Sequence, residues 1–344
     1  MRYGVVPSHG PQVVDELVHQ SRLCEKGGID SIWIEEHHGY GYYWPTPLLA
    51  LAALASHTEH IILGTNILIL PLYDPVHIAE QMAVLDVMTG GRIILGTSIG
   101  DSPREFAMFR VQANQRGRTF EEQLQVIRAL WRGETLHFKG EYLEYEGIQL
   151  SVQPIQESGP PIWVGGWGPR QIQRAVEFGD AWFPGPVADV DSLLSRLGDY
   201  EDQLAKRGIE PASRPRPLTR DVILMNNREQ AWQVAEEELL PGYYQDYLES
   251  DHPLVGKGSG ASFANLRLLA QGRFIIGDPS SVTEEVLTVI QKTQTDHFIF
   301  RLKLPGISPR QIRASIELLI QEVIPTLQKS EAAGATPQES PKSR

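Results

Sequence analysis

Residues 58–100 constrain the fold more than any other part of the sequence. Two short runs within them, residues 61–63 and 93–95, are rich in Ile and Leu without polar alternation, which is typical of strands buried on both faces. Between these runs Asp74-Pro75 predicts a helix start, because Asp caps the first free N–H groups and Pro fixes the φ of the first turn. The segment therefore predicts a βαβ unit with parallel strands.

The same alternation of strand and helix recurs along the chain. Apolar runs predict six further strands at residues 2–7, 30–36, 161–166, 180–183, 221–225 and 297–302. Helix starts of the cap-plus-proline type stand at Thr46-Pro47, Asp74-Pro75, Gly168-Pro169, Asp278-Pro279 and Ser308-Pro309. Eight strand–helix repeats without a shift in composition predict one (β/α)8 barrel over residues 1–328, with insertions after strands 4 and 7.

Two insertions and a tail interrupt this pattern. Residues 134–154 predict a small hairpin with turns at Gly140 and Gly147. Residues 241–272 have no lasting period, and a segment of that length within a compact domain predicts either a lid over a site or a mobile loop. Residues 329–344 are rich in Ser, Pro and Gln and predict a disordered tail.

The charge balance and the single cysteine limit the partners and the compartment. Lys and Arg number 31 against 43 Asp and Glu, and the net charge of −12 gives no electrostatic footprint for nucleic acid or an anionic membrane. No apolar run approaches the roughly 20 residues that span a bilayer, and the first residues lack a signal-peptide pattern. Cys24 is the only cysteine, so no intramolecular disulfide forms. We therefore expect a cytoplasmic protein.

The tip of the second predicted strand carries the strongest candidate for chemistry. His37 and His38 follow Glu36, and adjacent side chains on an extended segment point to opposite sides, so one histidine should face the barrel mouth. A neutral imidazole there takes a proton or donates a hydrogen bond to an oxyanion. The alternative is a pair of loop histidines bonded to backbone. Because adjacent histidines seldom share a metal ion, and no further ligand stands at a recognisable spacing, no metal site is predicted.

Two glycine-containing segments predict backbone contacts with a ligand. In residues 163–171 glycines precede the helix at Pro169, an arrangement in which N–H groups and the helix dipole receive a phosphate, with Arg170 as an added cation. Residues 64–67, with the sequence GTNI, interrupt a buried strand and predict a bulge beside a ligand. A tight turn and a structural bend are the respective alternatives.

Five motifs together resemble the bacterial-luciferase-like flavin monooxygenases. They are EEHH (residues 35–38), LGTNILILPLYDP (63–75), AEQMAVLDVMTGGRIILGTSIG (79–100), PPIWVGGWG (160–168) and IGDPSSV (276–282). They occur in the family's order through roughly residue 325, and residues 63–100 are the specific part. The resemblance implies a (β/α)8 barrel, which agrees with the strand pattern, and a barrel mouth that binds reduced FMN or, in a sister branch, a deazaflavin coenzyme.

The resemblance also implies roles for individual residues. His37 takes the place of a catalytic histidine, and the Asn66-Ile67 peptide takes the place of a non-prolyl cis bond in a bulge under the flavin ring. Cofactor contacts are implied for Asn66, Ile67, Ser98, Gly100, Gly166, Trp167, Gly168 and Arg170, and substrate-side positions for Trp44, Asp101 and Phe106. For Trp44 and Phe106 the alternative is ordinary packing on the barrel rim.

Two positions depart from the family's pattern. Ile99 stands where the luciferase branch has an Arg that helps to hold phosphate. Asp101 stands where the deazaflavin branch often has a Glu, and this related carboxylate keeps the deazaflavin alternative open.

The implied activity is that of a flavin-dependent monooxygenase. A separate flavin reductase supplies reduced FMN, O2 adds to form a flavin hydroperoxide, and this intermediate oxidises a small organic substrate while His37 manages protons. A homodimer packed through early helices, such as residues 48–55, is also implied. The alternatives are a deazaflavin-dependent dehydrogenase or reductase and a non-catalytic flavin-binding barrel. No charged cluster selects the substrate.

Overall fold

Strands and helices alternate along the part of the chain that the computed structural model describes, residues 1–39, 41, 43–239, 254, 265–304 and 306–334. The strands are β1 (Arg2–Val6), β2 (Ser31–Ile34), β3 (Ile62–Thr65), β4 (Leu68–Ile69), β5 (Ile93–Ser98), β6 (Leu136–Lys139), β7 (Glu144–Ile148), β8 (Ile162–Gly165), β9 (Ala181–Phe183), β10 (Pro217–Leu224), β11 (Phe274–Gly277) and β12 (His297–Arg301). The helices are α1 (Val14–Lys26), α2 (Pro47–Ala55), α3 (Pro75–Thr89), α4 (Pro103–Phe109), α5 (Arg116–Trp131), α6 (Pro169–Phe178), α7 (Val190–Lys206), α8 (Arg228–Val234), α9 (Leu266–Ala270), α10 (Pro279–Thr293), α11 (Pro309–Leu318) and α12 (Ile324–Gly334).

The main sheet is parallel and curled. Its strands lie in the order β11-β10-β12-β1-β2-β3-β5-β8-β9, and β9 lies beside β10, which closes the curl. The eight predicted strands are β1, β2, β3, β5, β8, β9, β10 and β12, so the predicted (β/α)8 barrel is confirmed. The sequence analysis missed two short strands, β4, which pairs with the carboxyl end of β5, and β11, which pairs with the end of β10.

Aromatic side chains fill the barrel interior. Trp33 stacks on Trp163 with ring centroids 4.9 Å apart, and Phe183 lies 5.2 Å from both rings. The indole of Trp33 donates to Ser31 Oγ at 2.7 Å. A Cβ at Gly64 would lie 2.4 Å from the Trp33 ring, so glycine in the GTNI segment has a packing reason as well as the predicted ligand reason.

The five predicted helix starts are correct. Helices α2, α3, α6, α10 and α11 each begin at the proline of a predicted pair. The side chains of Asp74, Asp278 and Ser308 cap backbone N–H groups, whereas Thr46 makes no side-chain cap. Because helices follow strands in a parallel barrel, these starts lie at the carboxyl ends of the strands.

The insertion after the fourth barrel strand is the predicted hairpin. Strands β6 and β7 are antiparallel, and Gly140 lies at their turn, but Gly147 lies within β7 rather than at a turn. Glu122 of α5 anchors the turn by accepting hydrogen bonds from the N–H groups of Glu141 at 2.7 Å and Leu143 at 2.8 Å.

The other two predicted irregular segments are described only in part. Residues 240–253 and 255–264 lie outside the described residues, and with them most of the predicted lid. Helix α12 runs to Gly334, so residues 329–334 of the predicted tail are helical, and residues 335–344 lie outside the described residues. Within the described ranges, no helix combines the length and apolarity needed to cross a membrane.

Candidate active site

A cavity of about 600 Å³ opens at the carboxyl ends of the barrel strands. All of the predicted site residues except Trp44 and Arg170 line it: His37, Asn66, Ile67, Ser98, Gly100, Asp101, Phe106, Gly166, Trp167 and Gly168. Its volume lies within the roughly 300–1,000 Å³ of small-molecule and cofactor sites. Sequence segments that are far apart thus meet in one ligand-sized space, at the end of the barrel where such sites form.

A second hollow, of about 710 Å³, lies outside the barrel between α5 and the β6–β7 hairpin. Its cations are paired, because Arg128 and Arg214 both contact Asp180 and Arg132 lies 3.5 Å from Glu134. It holds none of the predicted site residues. The barrel mouth is therefore the better candidate.

The two histidines after β2 have different surroundings. His38 is buried, and its Nε2 lies 2.8 Å from Glu36, which also accepts hydrogen bonds from the N–H of Ile69 at 2.6 Å and from the hydroxyl of Tyr73. The side chain of His37 is 39% exposed, lines the cavity and packs against the ring of Tyr43. Of the adjacent pair, His38 therefore supports the loop and His37 faces the cavity.

A carboxylate from the next loop approaches this pair. Glu105 of α4 is buried, and its Oε1 lies 3.5 Å from Nδ1 of His37 and accepts a hydrogen bond from the N–H of His38 at 2.8 Å. Burial alone would raise the pKa of the Glu105 carboxyl, but the contacts with His37 and His38 outweigh it and lower this pKa below its ordinary value. The sequence analysis missed Glu105, because its partner lies 67 positions away in the sequence, beyond the range of local patterns.

The predicted bulge lies on the cavity wall. The Asn66-Ile67 peptide is cis, as the resemblance implied, and it lies between β3 and β4. The Nδ2 of Asn66 donates to Thr219 Oγ1 at 3.1 Å. Ile67 and Ile69 face the cavity, so this part of the wall is apolar.

The far end of the cavity is formed by the loop between β8 and α6. Gly166 has φ of 122°, a conformation that favours glycine, and Gly168 precedes the first residue of α6. A Cβ at Gly168 would meet no atom within 4 Å, so this position is open. Arg170, the predicted cation, is exposed and does not line the cavity.

A different arginine lies at this end. Arg116 begins α5 and lines the cavity, with its guanidinium 5.1 Å from the centre of the Phe106 ring. Its Nε is buried without a hydrogen-bond partner among the described residues. The Nη1 of the same guanidinium donates to the carbonyl of Ala113, so the group is held at the cavity wall as a positive charge. Arg116, and not the predicted Arg170, is therefore the arginine that lines this part of the cavity. The sequence analysis missed it, because Arg116 begins a helix whose N-terminus has no side-chain cap.

A buried ionic network lies beneath His37. The guanidinium of Arg301 donates to Glu35 at 2.6 Å and to Asp221 at 2.8 Å. Burial raises the pKa of Glu35, and Arg301 opposes this effect. Burial also lowers the pKa of His9 to about 3, so His9 is neutral and accepts from the N–H of Glu35 at 2.8 Å. Trp44, predicted on the substrate side, is instead buried in the hydrophobic core.

Across the ranges that the structure describes, no group of three or more His, Cys, Asp and Glu side chains has the geometry to hold a metal ion.

The fold and the cavity together define a class of protein. A (β/α)8 barrel with a ligand-sized cavity and an exposed histidine at the carboxyl ends of its strands is typical of barrel enzymes. A family model described as luciferase-like monooxygenase matches residues 1–297. The chain therefore belongs to the luciferase-like monooxygenase family and is an enzyme of the oxygenase type.

The names of individual relatives include two cofactors, flavin and F420. The oxygenase component of a flavin-dependent trigonelline monooxygenase from Acinetobacter baylyi is 26% identical over 93% of this chain and 91% of its own. An F420-dependent glucose-6-phosphate dehydrogenase from Nakamurella multipartita is 30% identical over 60% of this chain and 64% of its own. The oxygenating constituent of 3,6-diketocamphane monooxygenase from Pseudomonas putida, solved with FMN, has a TM-score of 0.75 at 21% identity and covers 95% of this chain and 98% of its own. The last likeness supports the fold alone.

Proposed function

We propose that the protein is the oxygenase component of a two-component monooxygenase that uses reduced FMN and O2 to oxidise a small organic substrate. The observation that carries this proposal is the cavity itself, which has a histidine–carboxylate pair at one end and an arginine with a glycine-lined loop at the other. The flavin-dependent trigonelline monooxygenase component is similar along nearly the whole length of both chains. Because that relative is named as an oxygenase component, we also propose a separate flavin reductase as partner.

The residues present fit a flavin mononucleotide. The guanidinium of Arg116 at the cavity wall and the open position at Gly168 suit a terminal phosphate at the start of α6. The apolar wall of Ile67 and Ile69 suits a flat aromatic ring. His37 lines the same cavity, so a ring bound at this wall would share the cavity with His37.

Each end of the cavity has its own role in the proposed reaction. Bound reduced FMN supplies the electrons with which O2 is activated. Arg116 and the loop at Gly166 hold the phosphate and fix the position of the ring. Ile67, Ile69 and Phe106 exclude water from the reacting face. His37 holds or accepts the proton that the chemistry releases.

A titration tests this function against the deazaflavin alternative. The protein is titrated anaerobically with reduced FMN and, in parallel, with the reduced deazaflavin coenzyme F420, and O2 uptake with trigonelline as probe substrate is then measured. We expect tight binding of FMN and O2 uptake above that of free reduced FMN. Preferential binding of F420 without O2 uptake would overturn the proposal.

A second candidate function has one observation in its favour. Asp101 lines the cavity, and it stands where the deazaflavin branch often has a Glu. In a deazaflavin-dependent dehydrogenase or reductase, hydride would pass between coenzyme and substrate without O2. Turnover that is insensitive to removal of O2 would favour this candidate.

We further propose a homodimer that packs through α2 and α3. These helices contact each other, and their outer faces expose Leu49, Val84, Val87 and Met88. The three residues of α3 share one face, since they are spaced three and four apart. Val87→Glu should shift the protein from dimer to monomer in analytical ultracentrifugation while its circular dichroism is unchanged. A wild-type monomer at micromolar concentration would contradict the proposal.

A further inference from the structure

Glu105 departs from the role that its local sequence predicts. Residues 102–105 have the pattern Ser-x-x-Glu, in which the Glu side chain normally reaches back to the backbone at the start of its own helix. Ser102 does cap α4 through the N–H of Glu105, but α4 has no capping box. The carboxylate instead extends to the loop after β2, where it contacts His37 and His38.

The contact is held in place from both sides. The N–H of His38 donates to Glu105 Oε1 at 2.8 Å, and Arg104 donates to the carbonyl of Gly39 at 3.1 Å, so α4 is attached to the loop at two points. Glu105 is only 1% exposed, so water does not compete for its carboxylate. Nδ1 is the ring nitrogen of His37 that faces the carboxylate, at 3.5 Å from Oε1.

We infer that Glu105 is a positioning residue that holds the proton of His37 on Nδ1, so that Nε2 carries the lone pair and the histidine acts as a proton acceptor. This inference rests on the proposed function for its catalytic meaning, but the tautomer follows from the contact alone. A carboxylate accepts and does not donate, so it stabilises the ring form with hydrogen on the facing nitrogen. The sequence left open whether His37 accepts a proton or donates a hydrogen bond to an oxyanion. The contact with Glu105 favours the role of proton acceptor.

Bonds and charge balance when a proton is transferred to His37 in this arrangement. A proton leaves its donor atom, whose bonding pair stays behind, and a new N–H bond forms at Nε2. The ring then carries a positive charge 3.5 Å from the Glu105 carboxylate. After turnover the proton passes to water at the exposed edge of the ring.

Other ionisable groups near His37 are less suited to this role. The Oε1 of Glu35 is bound to Arg301 at 2.6 Å, which offsets its charge. His9 is held by the carbonyl of Pro7 at 2.7 Å and by the backbone of Glu35, and it is neutral. Tyr43 contacts His37 through its ring.

Nitrogen NMR of the histidine side chains tests the inference without any cofactor. In protein labelled with ¹⁵N-histidine, His37→Asn identifies the His37 signals, and the shifts of the two ring nitrogens give the tautomer. We expect the Nδ1–H form in the wild-type protein. A predominant Nε2–H form would overturn the inference before any variant of Glu105 is made.

Two variants then separate positioning from structural support. Glu105→Gln should lower the Nδ1–H population of His37 at least twofold and reduce O2-dependent turnover of trigonelline by at least the same factor, but by less than His37→Asn, with the Kd for FMN changed less than twofold. Glu122→Gln is the matched control, because Glu122 is also a carboxylate that accepts backbone N–H groups, but it serves the hairpin. An unchanged His37 tautomer in Glu105→Gln would refute the inference. If the wild-type protein neither binds FMN nor consumes O2, the proposed function fails, while the tautomer still decides the role of Glu105.

Discussion

The two ends of the cavity are built differently. At the β2 end, side chains carry the chemistry, and each is fixed by another side chain, as His37 is by Glu105 and His38 by Glu36. At the β8 end, the wall is glycine-rich backbone with a single cation, Arg116. A group that must change its protonation state needs a tuned neighbour, whereas a group that holds a constant anion needs only donors and space. In the proposed function, the β2 end therefore reacts and the β8 end binds the cofactor.

The largest expected effect comes from removing His37. His37→Asn keeps a polar side chain but removes the titrating ring, so O2-dependent turnover with reduced FMN should fall at least about 100-fold, or roughly 2.7 kcal/mol in activation free energy. The Kd for FMN, measured by flavin fluorescence, should stay within twofold. Equal losses in turnover and in FMN binding would show that catalysis and cofactor binding are not separated between the β2 end and the β8 end.

The second effect concerns the other end. Arg116→Met should weaken FMN binding about 10-fold to 100-fold, because a charge-assisted hydrogen bond contributes roughly 1.5–3 kcal/mol. Riboflavin, which lacks the phosphate, should bind both proteins equally in the same titration. Arg170→Met is the control, since Arg170 is exposed and does not line the cavity. A larger loss of FMN affinity with Arg170→Met than with Arg116→Met would show that Arg170, the cation predicted from the sequence, holds the phosphate.

The third effect distinguishes two glycines of one loop. Gly166→Ala should lower the free energy of unfolding by about 1–3 kcal/mol, because its φ of 122° is strained for alanine and a Cβ would lie 2.8 Å from Gln171. Gly168→Ala should lower stability by less, about 0.5–1 kcal/mol, because alanine is a poorer N-cap than glycine, although its Cβ would enter open space, and it should weaken FMN binding. Urea denaturation and the FMN titration measure both quantities. Equal stability of the two variants would refute the distinction.

The fold was more predictable than the site, and the reason is the range of the interactions. Strands and helix starts depend on neighbours within a few positions, so runs such as residues 93–95 and pairs such as Asp74-Pro75 could be interpreted directly. The contacts of the site join distant segments, as Glu105 joins His38 and Arg301 joins Glu35, and no local pattern encodes them. Arg170 stands next to the glycines in sequence, and this proximity alone predicts it as the phosphate cation, although its side chain is exposed.

Phe183 both lines the cavity and packs on Trp33 and Trp163, so the aromatic cluster closes the inner end of the cavity, which opens at its other end. Two molecules that occupy such a cavity together must pass through the same opening. The flavin ring, which would rest deepest against Ile67, has to enter before any substrate that stacks on it and leave after the product has gone. In the proposed function, the packing of the barrel interior would thereby impose an order on the catalytic cycle.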